Sequence, residues 1–157
     1  MKTLVLGIGN TLLSDEGIGV HVTQQLQSML PLSDDIEILD GGTLSFTLAS
    51  PIEDADALIV VDAAQLKSAP GTLKVFEGEA MDAFLFGNRK SSVHEVSLTD
   101  LMSIAMLTGH WPERRALVAI QPEKVDWGDY PTPQVAAVVP LACEHIQSLI
   151  GGWRDVA

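Results

Sequence analysis

The chain has a single cysteine, Cys143, among its 157 residues. No internal disulfide can form and no cysteine-based zinc site is available. Cys143 sits among Val138, Val139, Leu141 and Ile146, the setting of a small core residue, and nothing beside it in the sequence would make a thiolate. Basic residues are also scarce: nine Lys and Arg stand against 21 Asp and Glu, a formal net charge of −12. Such a surface repels nucleic acid and anionic membranes, and no Lys/Arg-rich block reverses this locally. It attracts a basic partner or a metal cation. No unbroken stretch of about 18 apolar residues exists, so the expectation is that nothing spans a membrane. The opening "MKTLVLGIGN" is too short an apolar run for a signal peptide, which makes the cytoplasm the expected location. Repeats, low-complexity segments, internal linkers and apolar heptads are missing too, so the expectation is a monomer.

What is present is an ordinary globular composition, 46% hydrophobic and 19% charged, enough for one domain, 1–157, around one core. "TLVLGIG" (Thr3–Gly9), "IEILDGG" (Ile36–Gly42), "DALIVVDAA" (Asp56–Ala64) and "RRALVAIQPE" (Arg114–Glu123) are apolar runs of strand length, three of them nearly continuous, as in strands buried on both faces. "GTLKVFEG" (Gly71–Gly78) is more mixed and suits an edge. Between the first runs, Ile18, Val22, Leu26, Met29 and Leu30 follow helical spacing up to Pro31. A short helix is expected over Leu44–Pro51. Leu98, Leu101, Met102, Ala105 and Met106 form another helical stripe behind capping serines. Thr132 as cap and Pro133 as first residue open a last helix, with a kink expected at Pro140. The segment from Ala80 to Lys90 has no clear period. The β-α-β-α-β order implies a parallel sheet with helices on both faces.

In such a sheet, ligands bind beyond the carboxyl ends of the strands. The segments there are "GNTLLSDEGIGV" (Gly9–Val20), Asp40 in "ILDGGT", Asp62 in "IVVDAA" and, before the serine-capped helix, His94 in "SSVHEV". The first looks like a phosphate-binding turn. However, its glycines do not complete G-x-G-x-x-G, no G-x-x-x-x-G-K-[ST] is present, and Asp15 and Glu16 put negative charge where a pyrophosphate would lie. Metal chemistry suits it better. Glu16 and Asp62 would offset a divalent charge, His94 would add a neutral donor, and three protein ligands leave a coordination position open. Each of the three also has an ordinary explanation. Glu16 stands near a helix N-terminus, where the dipole favours an acid; Asp62 stands at a strand-end turn; His94 stands at a helix start. His21, His110 and His145 are read as structural.

The succession of "LGIGNTLLSDEGIGV", "ILDGGT", "LIVVDA" and "SSVHEVSLTDLM", in this order and through nearly the whole chain, resembles the hydrogenase maturation proteases. These are the C-terminal processing endopeptidases of the nickel-iron hydrogenase large subunit. The resemblance implies a three-layer α/β/α fold with a mainly parallel five-stranded twisted sheet, phosphorylase/hydrolase-like. It implies removal of a C-terminal peptide from the large-subunit precursor after nickel insertion. It implies nickel carried by the substrate as the cofactor, and Glu16, Asp62 and His94 as the residues that contact it. Asp40, Gly41 and Gly42 would shape the same cleft.

Two mechanisms remain open on the sequence. The metal either polarises the scissile carbonyl or activates water, or it only positions the precursor while Asp40 acts as general base. No Ser/His/Asp order and no usable Cys supports a covalent nucleophile. The rival functions are a nickel-sensing assembly chaperone that binds the precursor without cutting it, and a nucleotide-binding α/β domain.

Overall fold

The computed structural model describes residues 1–31, 33–42, 44–88 and 97–156. Its sheet has five strands: β1 (Thr3–Ile8), β2 (Ile36–Gly42), β3 (Ala57–Ala63), β4 (Leu73–Glu77) and β5 (Arg114–Ile120), in the spatial order β2-β1-β3-β5-β4. Pairs β1–β2, β1–β3 and β3–β5 are parallel, while β4 runs antiparallel on the β5 edge. The mixed character of the β4 sequence follows from that place, since an edge strand needs fewer apolar residues.

Strict alternation along the central strands divides the core in two. Leu4, Leu6 and Ile8 of β1, Leu58 and Val60 of β3, and Leu117 and Ala119 of β5 face one side. They are covered there by α2 (Ala49–Asp54), α3 (Glu79–Gly87) and α4 (Leu98–Leu107), through Ile52, Met81, Leu101 and Ala105. Val5, Ile59, Val61, Val118 and Ile120 face the other side, against α1 (Ile18–Met29), α5 (Pro133–Ala136) and α6 (Val139–Asp155). The three-layer α/β/α arrangement expected from the sequence is therefore present.

Local chemistry sets the element ends. Ser97 and Asp100 form a reciprocal capping box at the start of α4, Ser97 Oγ accepting from the Asp100 N–H and Asp100 Oδ2 from the Ser97 N–H. The helical stripe of α1 is buried at Ile18, Val22 and Leu26, but Met29 is exposed, because the helix ends there. The short helix expected over 44–51 is a 3-10 turn, Phe46–Leu48, that runs on into α2. The segment without clear period contains α3. Asp82 of this helix takes a bidentate ion pair from Arg115 and a hydrogen bond from the Trp111 indole, which fixes α3 to the start of β5. The kink expected at Pro140 is instead a break: Pro140 stands in the first turn of α6, where its missing N–H costs nothing, and α5 and α6 are separate.

The combined run Pro133–Asp155 has the length and apolar content to cross a membrane by composition alone. Its apolar residues Val135, Val138, Ala142, Cys143, Ile146 and Ile150 are packed on the sheet, which accounts for that content. Cys143 is the core residue expected. It is fully buried, its Sγ faces the Val22 carbonyl at 3.7 Å, and burial pushes its thiol pKa up. The native protein should therefore resist a maleimide at pH 8 for hours and react only when guanidinium unfolds it. Rapid labelling of the native protein would contradict this packing.

Candidate functional site

The chain passes from β1 to β2 on one side and then to β3 on the other, so the sheet's switch point lies between β1 and β3. Ligand crevices in open α/β sheets form at that point, outside the carboxyl ends of the strands. Here the segment after β1 makes a 3-10 turn, Ser14–Gly17, before α1, and β3 ends in Asp62 and Ala63.

Two glycines bring these backbones together. Gly9 has φ +136°, and a Cβ on it would overlap the Glu16 carbonyl oxygen. A Cβ on Gly19 would overlap the carbonyl oxygens of Val61 and Ile8. The first turn of α1 thus presses on the ends of both central strands, immediately beside Asp62. The glycines of "GNTLLSDEGIGV" are used for backbone close approach within the fold.

The two adjacent acids of this loop have different environments. Glu16 is half-buried, and its Oε2 accepts the Asn10 N–H at 2.8 Å. Asp15 has no exposed surface. Its carboxylate accepts the N–H groups of Glu123 (2.8 Å), Lys124 (2.9 Å) and Thr132 (2.6 Å), and the Thr132 hydroxyl. Burial on its own would raise the Asp15 pKa; these donors outweigh it and hold the carboxyl below its ordinary value. Further bonds continue the seam. The Ser14 N–H donates to the Gly128 carbonyl at 2.8 Å, the Gly128 N–H to the Leu12 carbonyl at 2.9 Å, and the Asp15 N–H to the Lys124 carbonyl at 3.0 Å. The β1–α1 loop, which includes Glu16, and the β5–α5 loop are therefore one structural unit.

Nothing in the sequence around Asp15 points to this role or to the 121–132 loop as its partner. Thr132 is the N-cap of α5 and Pro133 its first residue, as expected, but the Thr132 hydroxyl goes to Asp15 and makes no side-chain cap to the helix. The end of β5 is also tied to the segment after β3. Gln121 is buried, its Oε1 accepting the Leu66 N–H at 2.6 Å and its Nε2 donating to Gln65 Oε1 at 3.0 Å.

Asp40 closes β2. It is exposed, and its Oδ1 accepts the Gly42 N–H at 2.8 Å in a tight turn. Asp40 is level with Gly7 of β1, and Val61, just before Asp62, is level with the same residue. The strands bearing Asp40 and Asp62 thus flank β1 on either side, about 10 Å apart. His94 lies outside the described residues. Among the described residues no group of three His, Cys, Asp or Glu side chains could hold a metal ion. Glu16 and Asp62 are carboxylates, oxygen donors of the type a divalent cation takes. His21 stacks on Tyr130, and burial lowers its pKa. His110 is exposed beyond Gly109 (φ +76°), and His145 lines an open groove between α6 and β4.

Fold and crevice define an open α/β domain with carboxylates at its switch point and no nucleotide fingerprint. The family model of the hydrogenase maturation proteases, of the HycI type, matches residues 20–149. The hydrogenase 2 maturation protease of Escherichia coli (strain K12) is 40% identical over 147 residues, 93% of this chain and 88% of that protein. The hydrogenase expression/formation protein HupD of Rhizobium leguminosarum bv. viciae is 39% identical over 153 residues, 97% of this chain and 75% of that protein. The solved structure of the hydrogenase maturating endopeptidase HybD from E. coli superposes with a TM-score of 0.89 at 37% identity, covering 97% of this chain and 93% of that one. The chain belongs to the hydrogenase maturation protease family and is a peptidase.

Proposed function

We propose that this peptidase removes a C-terminal peptide from the nickel-loaded precursor of the nickel-iron hydrogenase large subunit. The nickel on the substrate serves as its recognition feature. The observation that supports the reading is that Glu16 lies in the turn after β1 and Asp62 near the end of β3, the two strands of the switch point, with Asp40 near the end of the neighbouring β2. Two carboxylates are an incomplete metal site by themselves, and they suit a cation whose other ligands belong to the substrate. His94 completes the protein's share as the third ligand. Asp40 acts as general base or shapes the cleft. As a base it takes a proton from water, the oxygen attacks the scissile carbonyl, the carbon–nitrogen bond breaks, and the amine leaves protonated. The enzyme works as a monomer in the cytoplasm.

The test is the mass of the precursor after mixing with the purified protein. Nickel-loaded precursor should lose its C-terminal peptide, while nickel-free precursor and casein should stay intact. Efficient cutting of the nickel-free form would remove nickel from the recognition step. Binding of the loaded form without any loss of mass would point to a chaperone. With Asp40→Asn, loss of cutting on loaded precursor assigns the base, and retained cutting assigns the water activation to the metal.

A further inference from the structure

We propose that the carboxyl edge of the sheet is a preformed docking face for the folded body of the precursor. On it Leu12, Phe46, Trp127 and Tyr130 seat an apolar patch of the partner, and the surrounding carboxylates meet a basic rim. The inference rests on the reading of this edge as the cutting site and adds the surface that holds the substrate there.

The four side chains are 57%, 61%, 77% and 76% exposed. Leu12 follows β1, Phe46 follows β2, and Trp127 and Tyr130 belong to the loop after β5. These strands are all parallel, with β1 and β2 paired and β5 linked through β3, so the three loops open on one edge. In the strand order they stand on both sides of the switch point that carries Glu16 and Asp62. Among the described residues four Phe, Trp or Tyr side chains are exposed, and three of them, Phe46, Trp127 and Tyr130, belong to segments that follow β2 and β5, with Tyr130 stacked on His21 of α1. Exposed aromatics beside a cleft mark interaction sites, and Trp and Tyr are the residue types that dominate interface energies.

The patch is also held in place before any partner arrives. The Leu12 and Gly128 backbones are hydrogen-bonded, Ser14 Oγ donates to the Asp126 carbonyl at 2.9 Å, and the buried Asp15 carboxylate grips both ends of the 123–132 stretch. Little loop entropy is lost when such a surface binds. Its charge selects the occupant. Glu123, Asp126 and Asp129 stand in the same loop with only Lys124 opposing them, within a chain of net charge −12. A second copy of this chain, nucleic acid and an anionic membrane are all repelled, whereas a protein patch edged with Lys and Arg is attracted.

The experiment measures KM, kcat and direct affinity for nickel-loaded precursor. It compares the natural enzyme, the double variant Trp127→Ala/Tyr130→Ala, and Leu107→Ala as a control at the far end of α4, where the side chain is 87% exposed. The double variant should melt like the natural protein, raise KM at least roughly tenfold and keep kcat. Salt should weaken binding to the natural enzyme, and Leu107→Ala should change nothing. Precursor binding should shift the tryptophan emission to the blue, and Trp127→Phe should remove the shift. If the natural enzyme cuts and the double variant has unchanged KM and affinity, the docking face is wrong and the proteolytic reading stands. If the natural enzyme binds through this face without cutting, the proteolytic reading fails and the docking face stands. Absence of both binding and cutting overturns the two together.

Discussion

Replacing Asp15 with Ala should destabilise the protein by about 3–5 kcal/mol, one of the largest effects of any single substitution outside the core. The carboxylate has no exposed surface and satisfies three backbone N–H groups and the Thr132 hydroxyl. Truncation leaves these donors facing a small void. Each unsatisfied buried donor costs about 1–3 kcal/mol, and water entering the space recovers part of it. For a domain of this size the shift corresponds to roughly 10–15 °C in Tm. Asp15→Asn should lie between the two proteins. Its amide oxygen can serve one pair of donors, but its NH2 then meets either the Glu123 and Lys124 N–H groups or the Thr132 N–H, none of which accepts.

The pH dependence separates this account from simple loss of volume. The folded-state pKa of Asp15 lies below its unfolded value, near 3.8. The unfolded chain therefore binds the proton more readily than the folded one. The stabilisation is complete above pH ~4–5 and is lost as pH falls through the folded value. The gap in unfolding free energy between the natural protein and Asp15→Asn should be constant from pH 5 to 8 and narrow below pH 4. A gap that stays constant down to pH 3 would mean that the charge of Asp15 is not what holds the two loops together.

The same residue marks where the sequence was legible and where it was not. The central strands could be read because burial on both faces forces nearly unbroken apolar runs, and Leu58–Val61 or Ala116–Ile120 can be little else. The edge place of β4 could be read from its mixed composition, and the crevice from strand ends that carry Asp40, Asp62 and the acidic loop. Helix α3 escaped because it has only nine residues, starts behind Gly78 at φ +59°, and carries a weak apolar stripe with one fully buried member, Met81. Asp15 and Glu16 could not be told apart at all. They are adjacent and chemically alike, and what separates them is a loop more than 100 positions further on. Thr132 is the N-cap of α5, as read from the sequence, but the partner of its hydroxyl was not legible, for the same reason. Capping preference is a local statistic, whereas the partner of its hydroxyl is 117 residues away. Long-range hydrogen bonds leave no periodic trace in a sequence, so the loop that organises the crevice was the part least visible.

Asp62→Asn should lower processing of nickel-loaded precursor by about 100-fold or more while leaving the fold intact. The loss is on the scale of removing one charge-stabilising group from a reacting centre. The substitution keeps the size and one oxygen of the side chain and removes a negative charge at the end of β3. The strand itself is held by its parallel pairing to β1 and β5 and by five buried residues, Ala57–Val61, so melting should move by no more than a few degrees. A neutral amide oxygen is a weaker ligand for a divalent cation than a carboxylate, and Glu16 alone would then offset its charge. If Asp62 contacts the nickel of the substrate, the variant should lose its preference for loaded over nickel-free precursor as well as its rate. Glu16→Gln should do the same if Glu16, in the turn after β1, shares the cation with Asp62 at the end of β3. A variant at position 62 that melts normally and processes loaded precursor at the natural rate would leave Asp62 a strand-end residue. The metal reading of the crevice would then rest on Glu16 and His94 alone.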